Sequence, residues 1–451
     1  VNEFDVIVVG TGAAGSSAAK ACAAAGRRVA IVDERPYGGT CPLRGCDPKK
    51  VLVGAAELVD WARRMHGAGI GGAIEIDWAQ LMRFKRTFTD PVPEQRENEL
   101  QTAGVTTYHG PVRFCGATTL EAGAEMLKAS NIVIAAGARP APLRLPGEEL
   151  LITSTEFLDL QSLPKRIAFI GGGYIAFEFA HVAARAGAAP VILQRGPRVL
   201  NGFEPGLVDA VVEVSRRIGI EVRTGVAVTS IEKAQRGVRV CAASDGGEFA
   251  IECELAVHAA GRVADLDELA LEAGNVERTS KGVAVNEFLQ SRSNPAVYAA
   301  GDCADGGGLP LTPTAAAEGE LAAKNLLEGN HRTLDFAGLA SIVYTIPSLG
   351  MTGLTQGQAR ERGLRFTVHE GDSTSWYSSR RIRAEASRYQ LLVEDGTTTI
   401  LGAHVLGPHT EELINIFSLA IRAKIAAATL NEALFAYPTA SSDIFAMLQT
   451  P

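Results

Sequence analysis

Two cysteines stand five residues apart in the run Gly38-Gly39-Thr40-Cys41-Pro42-Leu43-Arg44-Gly45-Cys46-Asp47-Pro48-Lys49-Lys50. Thiols at that spacing have three readings. A zinc site wants further Cys or His ligands at short spacing, and none follow. Two inert thiols of a reducing compartment are the second. The third is a disulfide: closed over only four intervening residues, it removes little chain entropy, so redox chemistry explains it better than stability does.

Two glycine turns could bring nucleotides to such a pair. The first lies in an apolar run Asp5 to Val9, then Gly10-Thr11-Gly12-Ala13-Ala14-Gly15, an alanine-rich stretch to Ala25, Gly26, and a second apolar run from Val29 to Asp33. This reads as strand, turn, helix, strand. In that grammar Gly10 permits the tight turn, Gly12 lets the backbone approach a pyrophosphate, and Gly15 allows close helix-to-strand packing. The helix start offers free N–H groups to the anion. Asp33, at the end of the second strand, can accept hydrogen bonds from a ribose 2′-hydroxyl.

The same grammar returns roughly 160 residues on: Arg166 to Ile170, Gly171-Gly172-Gly173-Tyr174-Ile175-Ala176, a helix to Ala186, Gly187, and Pro190 to Leu193. Here Ala176 takes the third glycine's place. Gln194 and Arg195 stand where a carboxylate would select NADH, with Arg198 three residues on. A carboxylate would repel a 2′-phosphate, whereas guanidinium groups bind it by charge-assisted hydrogen bonds, so the spacing predicts NADPH. Solvated surface charges are the alternative reading of the two arginines.

These units must be carried by a sizeable scaffold. At ~150 residues per domain, a chain of 451 residues suggests about three domains. With 46 % hydrophobic and 21 % charged residues, the composition is that of a globular protein. Lys plus Arg number 43 against 51 Asp plus Glu, which gives no general attraction for phosphate backbones and argues against a nucleic-acid partner. Apolar stretches are short and broken, which predicts no membrane partner, and the start lacks the pattern of a secretory signal, which predicts a cytoplasmic setting. Three more apolar runs end in glycine at Gly137, Gly261 and Gly301-Asp302, each read as a buried strand meeting a ligand. Boundaries are expected near Leu163-Pro164-Lys165 and near 265. Beyond about 336 the pattern becomes alternating strands followed by an apolar helix from Glu411 to Ala428. The fold class is therefore α/β: two Rossmann-like dinucleotide-binding domains and a C-terminal α+β domain.

The string Gly38-Gly39-Thr40-Cys41 to Gly45-Cys46, followed by Pro48 and Lys49, resembles the signature of the class I pyridine nucleotide-disulfide oxidoreductases, the family of glutathione reductase, dihydrolipoamide dehydrogenase and mercuric reductase. The resemblance covers essentially the whole chain. It implies an FAD-binding domain over 1–150 and 265–335, an NAD(P)H-binding domain over 151–264, and a dimerisation domain over 336–451. It implies that Cys41 is the outer, interchange thiol and Cys46 the inner one against the flavin, the two forming a redox-active disulfide. Lys49 matches the lysine beside the flavin N5, Glu178 the glutamate paired with it, and Tyr174 the aromatic that covers the nicotinamide pocket. Gly301-Asp302 matches the second FAD motif. The helix opening at Thr312 would point its positive end at the flavin pyrimidine.

One part departs from the family. Where it carries a histidine before Pro-Thr, this chain has Tyr437, and Ser442 with Asp443 falls where the orienting glutamate belongs. An imidazole near pKa ~6.5 can hold the proton that Cys41 releases; a phenol near ~10 cannot readily cycle at neutral pH. Ordinary dithiol exchange should be slow. The expected activity is therefore transfer of electrons from NADPH through FAD and the cysteine pair to a small-molecule or metal acceptor, such as a metal ion, a metal-thiol complex or a quinone, in a homodimer. Alternatives are a small-disulfide reductase using another proton donor, and a cofactor-binding sensor with little turnover. No resident metal is expected. Cys22, Cys115, Cys241, Cys253 and Cys303 are expected to be small buried hydrophobes.

Overall fold

Uninterrupted β-branched runs with glycine at their ends form strands buried on both faces, and the computed structural model, which describes residues 1–449, bears this out. Thr450 and Pro451, the end of the expected 336–451 domain, lie outside the described residues. Two units emerge: 1–49 with 83–142 and 261–335, and 50–82 with 143–260 and 336–451.

In the first unit the parallel strands Val105–His109, Val29–Asp33, Asn2–Val9 and Glu125–Ile134 lie side by side, with Val297–Ala299 also parallel to the last. Thr119–Ala122 and Val112–Gly116 extend the sheet antiparallel. Val6, Ile7 and Val8 are fully buried, as expected of a central strand covered on both faces. The helix Ala13–Ala24 buries Ala14, Ala18, Ala19 and Cys22, a stripe of small side chains at helical spacing. That stripe lets the helix Thr312–Glu328 come close: a Cβ at Gly319 would lie 2.1 Å from the Ala14 carbonyl oxygen.

The second unit holds four parallel strands in the order Glu221–Thr224, Ala189–Gln194, Arg166–Ile170, Leu255–His258. A three-stranded antiparallel sheet, Ala227–Lys233, Val238–Ser244 and Gly247–Cys253, follows. The C-terminal part is a five-stranded antiparallel sheet, in the order Ala340–Val343, Ser348–Gly353, Ile400–Gly407, Arg388–Glu394, Phe366–Asp372. The helix Thr410–Arg422 buries Leu413, Ile414, Phe417 and Ala420 against it. The architecture is the α/β arrangement with a C-terminal α+β part that the sequence implies. One element differs: the helix expected to run from Glu411 to Ala428 stops at Arg422 and a second begins at Ala427. Between them Lys424 is left-handed, and Ala426 bridges to Thr399 while the Ala427 N–H donates to the Thr398 carbonyl. A neighbouring loop has taken the backbone donors that a continuous helix would use. Among the described residues no helix is long and apolar enough to cross a membrane.

Candidate functional site

The first glycine turn is tied to the cysteine loop through the Thr11 side chain. Asp33 Oδ2 accepts from the Thr11 N–H at 2.8 Å and from its hydroxyl at 2.7 Å, and the Gly38 N–H donates to Thr11 Oγ at 3.1 Å. A Cβ at Gly39, whose φ is +75°, would lie 2.5 Å from the Gly12 Cα, so the approach requires glycine at position 39. Gly15 packs onto the Gly10 carbonyl so closely that a Cβ would come within 1.9 Å of it, the close packing expected of the third glycine.

Gly301 opens a short 3-10 turn; a Cβ there would lie 3.2 Å from that of Ala14 and 3.4 Å from that of Ala315. The starts of the helices Ala13–Ala24 and Thr312–Glu328 therefore meet at this turn. Neither helix has a side-chain cap on its first N–H groups, and the buried Thr314 hydroxyl has no protein partner. Such donors call for an acceptor from outside the chain. Beside them burial raises the Asp302 carboxyl while Arg262 opposes, and Glu318, whose Oε2 accepts from the Gly301 N–H at 2.7 Å, is pushed by burial up to about 7. Over Gly12 the approach is open, since a Cβ there would meet only the Gly39 Cα at 3.9 Å. These residues fit the pyrophosphate and polar edge of FAD.

Cys41 and Cys46 are not joined by a disulfide in this structure. Cys41 lies in the short helix Thr40–Arg44 and is half-buried; Cys46 opens the helix Cys46–Arg64 and is exposed. The Cys46 sulfur and the Thr312 hydroxyl are 3.9 Å apart. The Cys41 thiol donates to Asp47 Oδ1 at 3.7 Å. The neighbouring Cys46 sulfur and burial push the Cys41 thiol up, Thr312 opposes, and the Asp47 charge adds to the rise. Sequence reasoning missed Asp47, because it fills a position of the signature where any residue is admitted. Gly137 and Gly261 flank the antiparallel pair Ala138–Pro140 and Arg262–Ala264, and the Gly261 carbonyl accepts from the Ala141 N–H at 3.0 Å.

In the second unit Gly171 leads into Gly173, which begins the helix Tyr174–Arg185. Gln194 Oε1 accepts from the Gly172 N–H at 2.9 Å, and Arg195 and Arg198 are exposed just beyond. Tyr174 is hydrogen-bonded to the Ser341 hydroxyl at 2.7 Å and stands edge-on to Phe203. Glu178 is buried, with Oε1 accepting from the Tyr344 N–H at 2.9 Å. Lys49 belongs to the first unit and Glu178 to the second. Tyr437 is 79 % exposed, its ring 6.4 Å from that of Tyr377. Nearby in sequence, burial raises the Asp443 carboxyl while Ser378 opposes. Among the other cysteines Cys22, Cys253 and Cys303 are buried, but Cys115 is exposed, because it points outward from a strand whose inward positions are Val112 and Phe114. Among the described residues no group of three or more His, Cys, Asp or Glu could hold a metal ion.

Comparison with known proteins places this geometry. Residues 4–319 match the pyridine nucleotide-disulphide oxidoreductase model, and residues 339–447 match the dimerisation domain of the same family. The chain is 31 % identical to a glutathione reductase of Burkholderia cepacia over 98 % of its own length and 97 % of the relative's. It is 29 % identical to a mercuric reductase of Staphylococcus aureus over 97 % of its length and 80 % of the relative's. Among solved structures, the Cu(II) complex of the HOCl-induced flavoprotein disulfide reductase RclA from Escherichia coli superimposes with a TM-score of 0.89 at 23 % identity, covering 100 % of this chain and 99 % of that one. The chain belongs to the pyridine nucleotide-disulphide oxidoreductases, flavoprotein enzymes that use FAD and NAD(P)H.

Proposed function

We propose that this enzyme carries electrons from NADPH through FAD to the Cys41–Cys46 pair and on to an acceptor other than an ordinary small disulfide: a metal ion, a metal-thiol complex, a quinone or a similar electrophile. The observation that carries the reading is Tyr437 at the position where the family has its histidine, a phenol in place of the imidazole that cycles a proton at neutral pH. Bound FAD supplies the two-electron relay between nicotinamide and sulfur. The chain's own residues do the rest. Gly12, Gly39, Thr40 and Gly301, with Asp33 and Asp302, hold the flavin nucleotide in the domain formed by 1–150 and 265–335. Gly171, Gly173, Arg195 and Arg198 hold NADPH in the domain 151–264, and Tyr174 covers the nicotinamide pocket. Lys49 sets a positive charge beside the flavin, a preorganised electrostatic role, and Glu178 fills the family's glutamate position. In a cytoplasmic homodimer built on 336–451, Tyr437 of each copy serves its neighbour's cysteines.

Tyr437→His tests this reading. In an NADPH-oxidation screen across disulfides, metal ions and quinones under low oxygen, the wild type should favour the last two classes, and the variant should gain about a hundredfold on small disulfides, the low end of what a general acid–base group contributes. Unchanged or lower disulfide turnover removes the argument from the missing imidazole.

A further inference from the structure

Asp47 directly follows Cys46 in the first turn of the helix Cys46–Arg64, and its Oδ1 lies 3.7 Å from the Cys41 sulfur, accepting the S–H hydrogen bond. Its side chain is exposed, so its carboxylate faces both the sulfur and water. The groups that bear on Cys41 are the Cys46 sulfur, the Thr312 hydroxyl from the start of the helix Thr312–Glu328, and Asp47. Asp47 alone carries a fixed charge.

A thiol becomes a nucleophile only as its thiolate, and a carboxylate at hydrogen-bond distance favours the thiol. Asp47 is a poor base for the same sulfur, because a carboxylate is a far weaker base than a thiolate. It holds the proton in place instead of removing it. Attack on a small disulfide requires Cys41 to lose that proton as the new S–S bond forms; the substrate's S–S bond breaks, and its leaving sulfur takes the electron pair and then a proton.

We infer that Asp47 tunes the reactivity of the outer sulfur: its carboxylate accepts the Cys41 S–H hydrogen bond and so slows attack of Cys41 on small disulfide substrates. This rests on the reading that Cys41 and Cys46 are the redox pair. It assigns the low disulfide activity to two features at once, an absent imidazole and a present carboxylate.

The test is iodoacetamide alkylation of the FAD-loaded protein in a Cys46→Ser background, reduced with dithiothreitol and desalted under argon, with the Cys41 peptide followed by mass spectrometry between about pH 6 and pH 10. Asp47→Asn should alkylate about tenfold faster at neutral pH, with the midpoint of the profile lowered by about one unit; Asp47→Glu should stay near the parent. Asp47→Ser repeats the experiment if asparagine weakens the helix start, since serine is a smaller neutral residue with comparable helix propensity. With Cys46 restored, the asparagine or serine variant should also gain turnover on a small disulfide such as dithiobis(nitrobenzoate). Superimposable profiles for parent, asparagine and serine variants overturn the inference and leave the proposed function standing. A shifted profile in an enzyme that fails to oxidise NADPH with any of the disulfides, metal ions or quinones overturns the proposed function instead, because alkylation needs neither NADPH nor an acceptor.

Discussion

In each unit the residue that ends the second strand reaches back to the middle of the glycine turn: Asp33 accepts from the Thr11 N–H, and Gln194 accepts from the Gly172 N–H. The backbone device is the same and the charge differs. At the first turn the carboxylate faces a site suited to a ribose hydroxyl; at the second the neutral amide leaves the neighbourhood to Arg195 and Arg198. The turns also differ in what holds them. Thr11 joins Asp33 to the Gly38 N–H, so the first turn and the cysteine loop form one hydrogen-bonded block. At the same position the second turn has Gly172, with no side chain to make such a link; its carbonyl accepts from the Leu200 N–H at 2.8 Å, so backbone alone ties it to the loop after its second strand.

The sharpest way to break this comparison is at the third position, where the first turn has Gly15 and the second already has Ala176. Gly15→Ala would place a Cβ 1.9 Å from the Gly10 carbonyl oxygen, so backbone must move. Overpacking of this kind costs about 1–3 kcal/mol and more where backbone cannot yield; about 3 kcal/mol and a loss of bound flavin are expected. Ala176→Gly in the other unit should cost about 1 kcal/mol, the ordinary helix penalty. Absorbance of bound flavin and a urea midpoint read both variants. Equal losses would mean that the two turns are not differently constrained.

Charge is the next handle. Replacing Arg195 and Arg198 by alanine should raise the KM for NADPH while barely changing that for NADH, by about tenfold for each hydrogen-bonded charge removed at about 1.5 kcal/mol. Gln194→Glu should move preference the same way, by placing a carboxylate where the 2′-phosphate sits. Steady-state kinetics with both nucleotides decide it: parallel changes in the two KM values would show that the arginines are surface charges.

Much of this was legible because it is local. A glycine between an apolar run and an alanine-rich run marks a turn wherever it occurs, and both turns, their helices and their strands follow from that pattern. The outward position of Cys115 could have been read from the alternation of Val112 and Phe114, yet its residue type suggested burial. What could not be read is what depends on chain reversal. Asp47 meets Cys41 because the loop folds back over itself, and Asp33 meets Thr11 because two strands end side by side. The break after Arg422 depends on Thr398 and Thr399, which the helical pattern does not contain.

The smallest expected difference between the units is in their response to pH. In the first, Glu318 has its carboxyl pushed by burial up to about 7, above its unfolded value. Between about pH 4.5 and pH 7 the folded state therefore holds more protons than the unfolded one, and stability falls as pH rises. In the second, His181 is fully buried: its Nδ1 accepts from the Ile346 N–H at 3.0 Å. The Ser215 hydroxyl already donates to the Val211 carbonyl, so His181 Nε2–H must donate to it. Both nitrogens are thereby committed to the neutral ring, and burial, with Arg185 beside it, lowers its pKa well below the ordinary value. Below about pH 6.5 the unfolded state takes up a proton that the folded state refuses, and stability falls as pH drops. The slopes are opposite. Hydrogen exchange of the flavin-loaded protein at about pH 5.5 and pH 8 should show core amides of the first unit slowing at the acid end and those of the second quickening, with free-energy differences of about 1 kcal/mol after correction for intrinsic exchange rates. Glu318→Gln keeps an acceptor for the Gly301 N–H and removes the titration, so it should flatten the first response and leave the second. A first unit whose protection still falls toward alkaline pH in that variant would place the titrating group elsewhere.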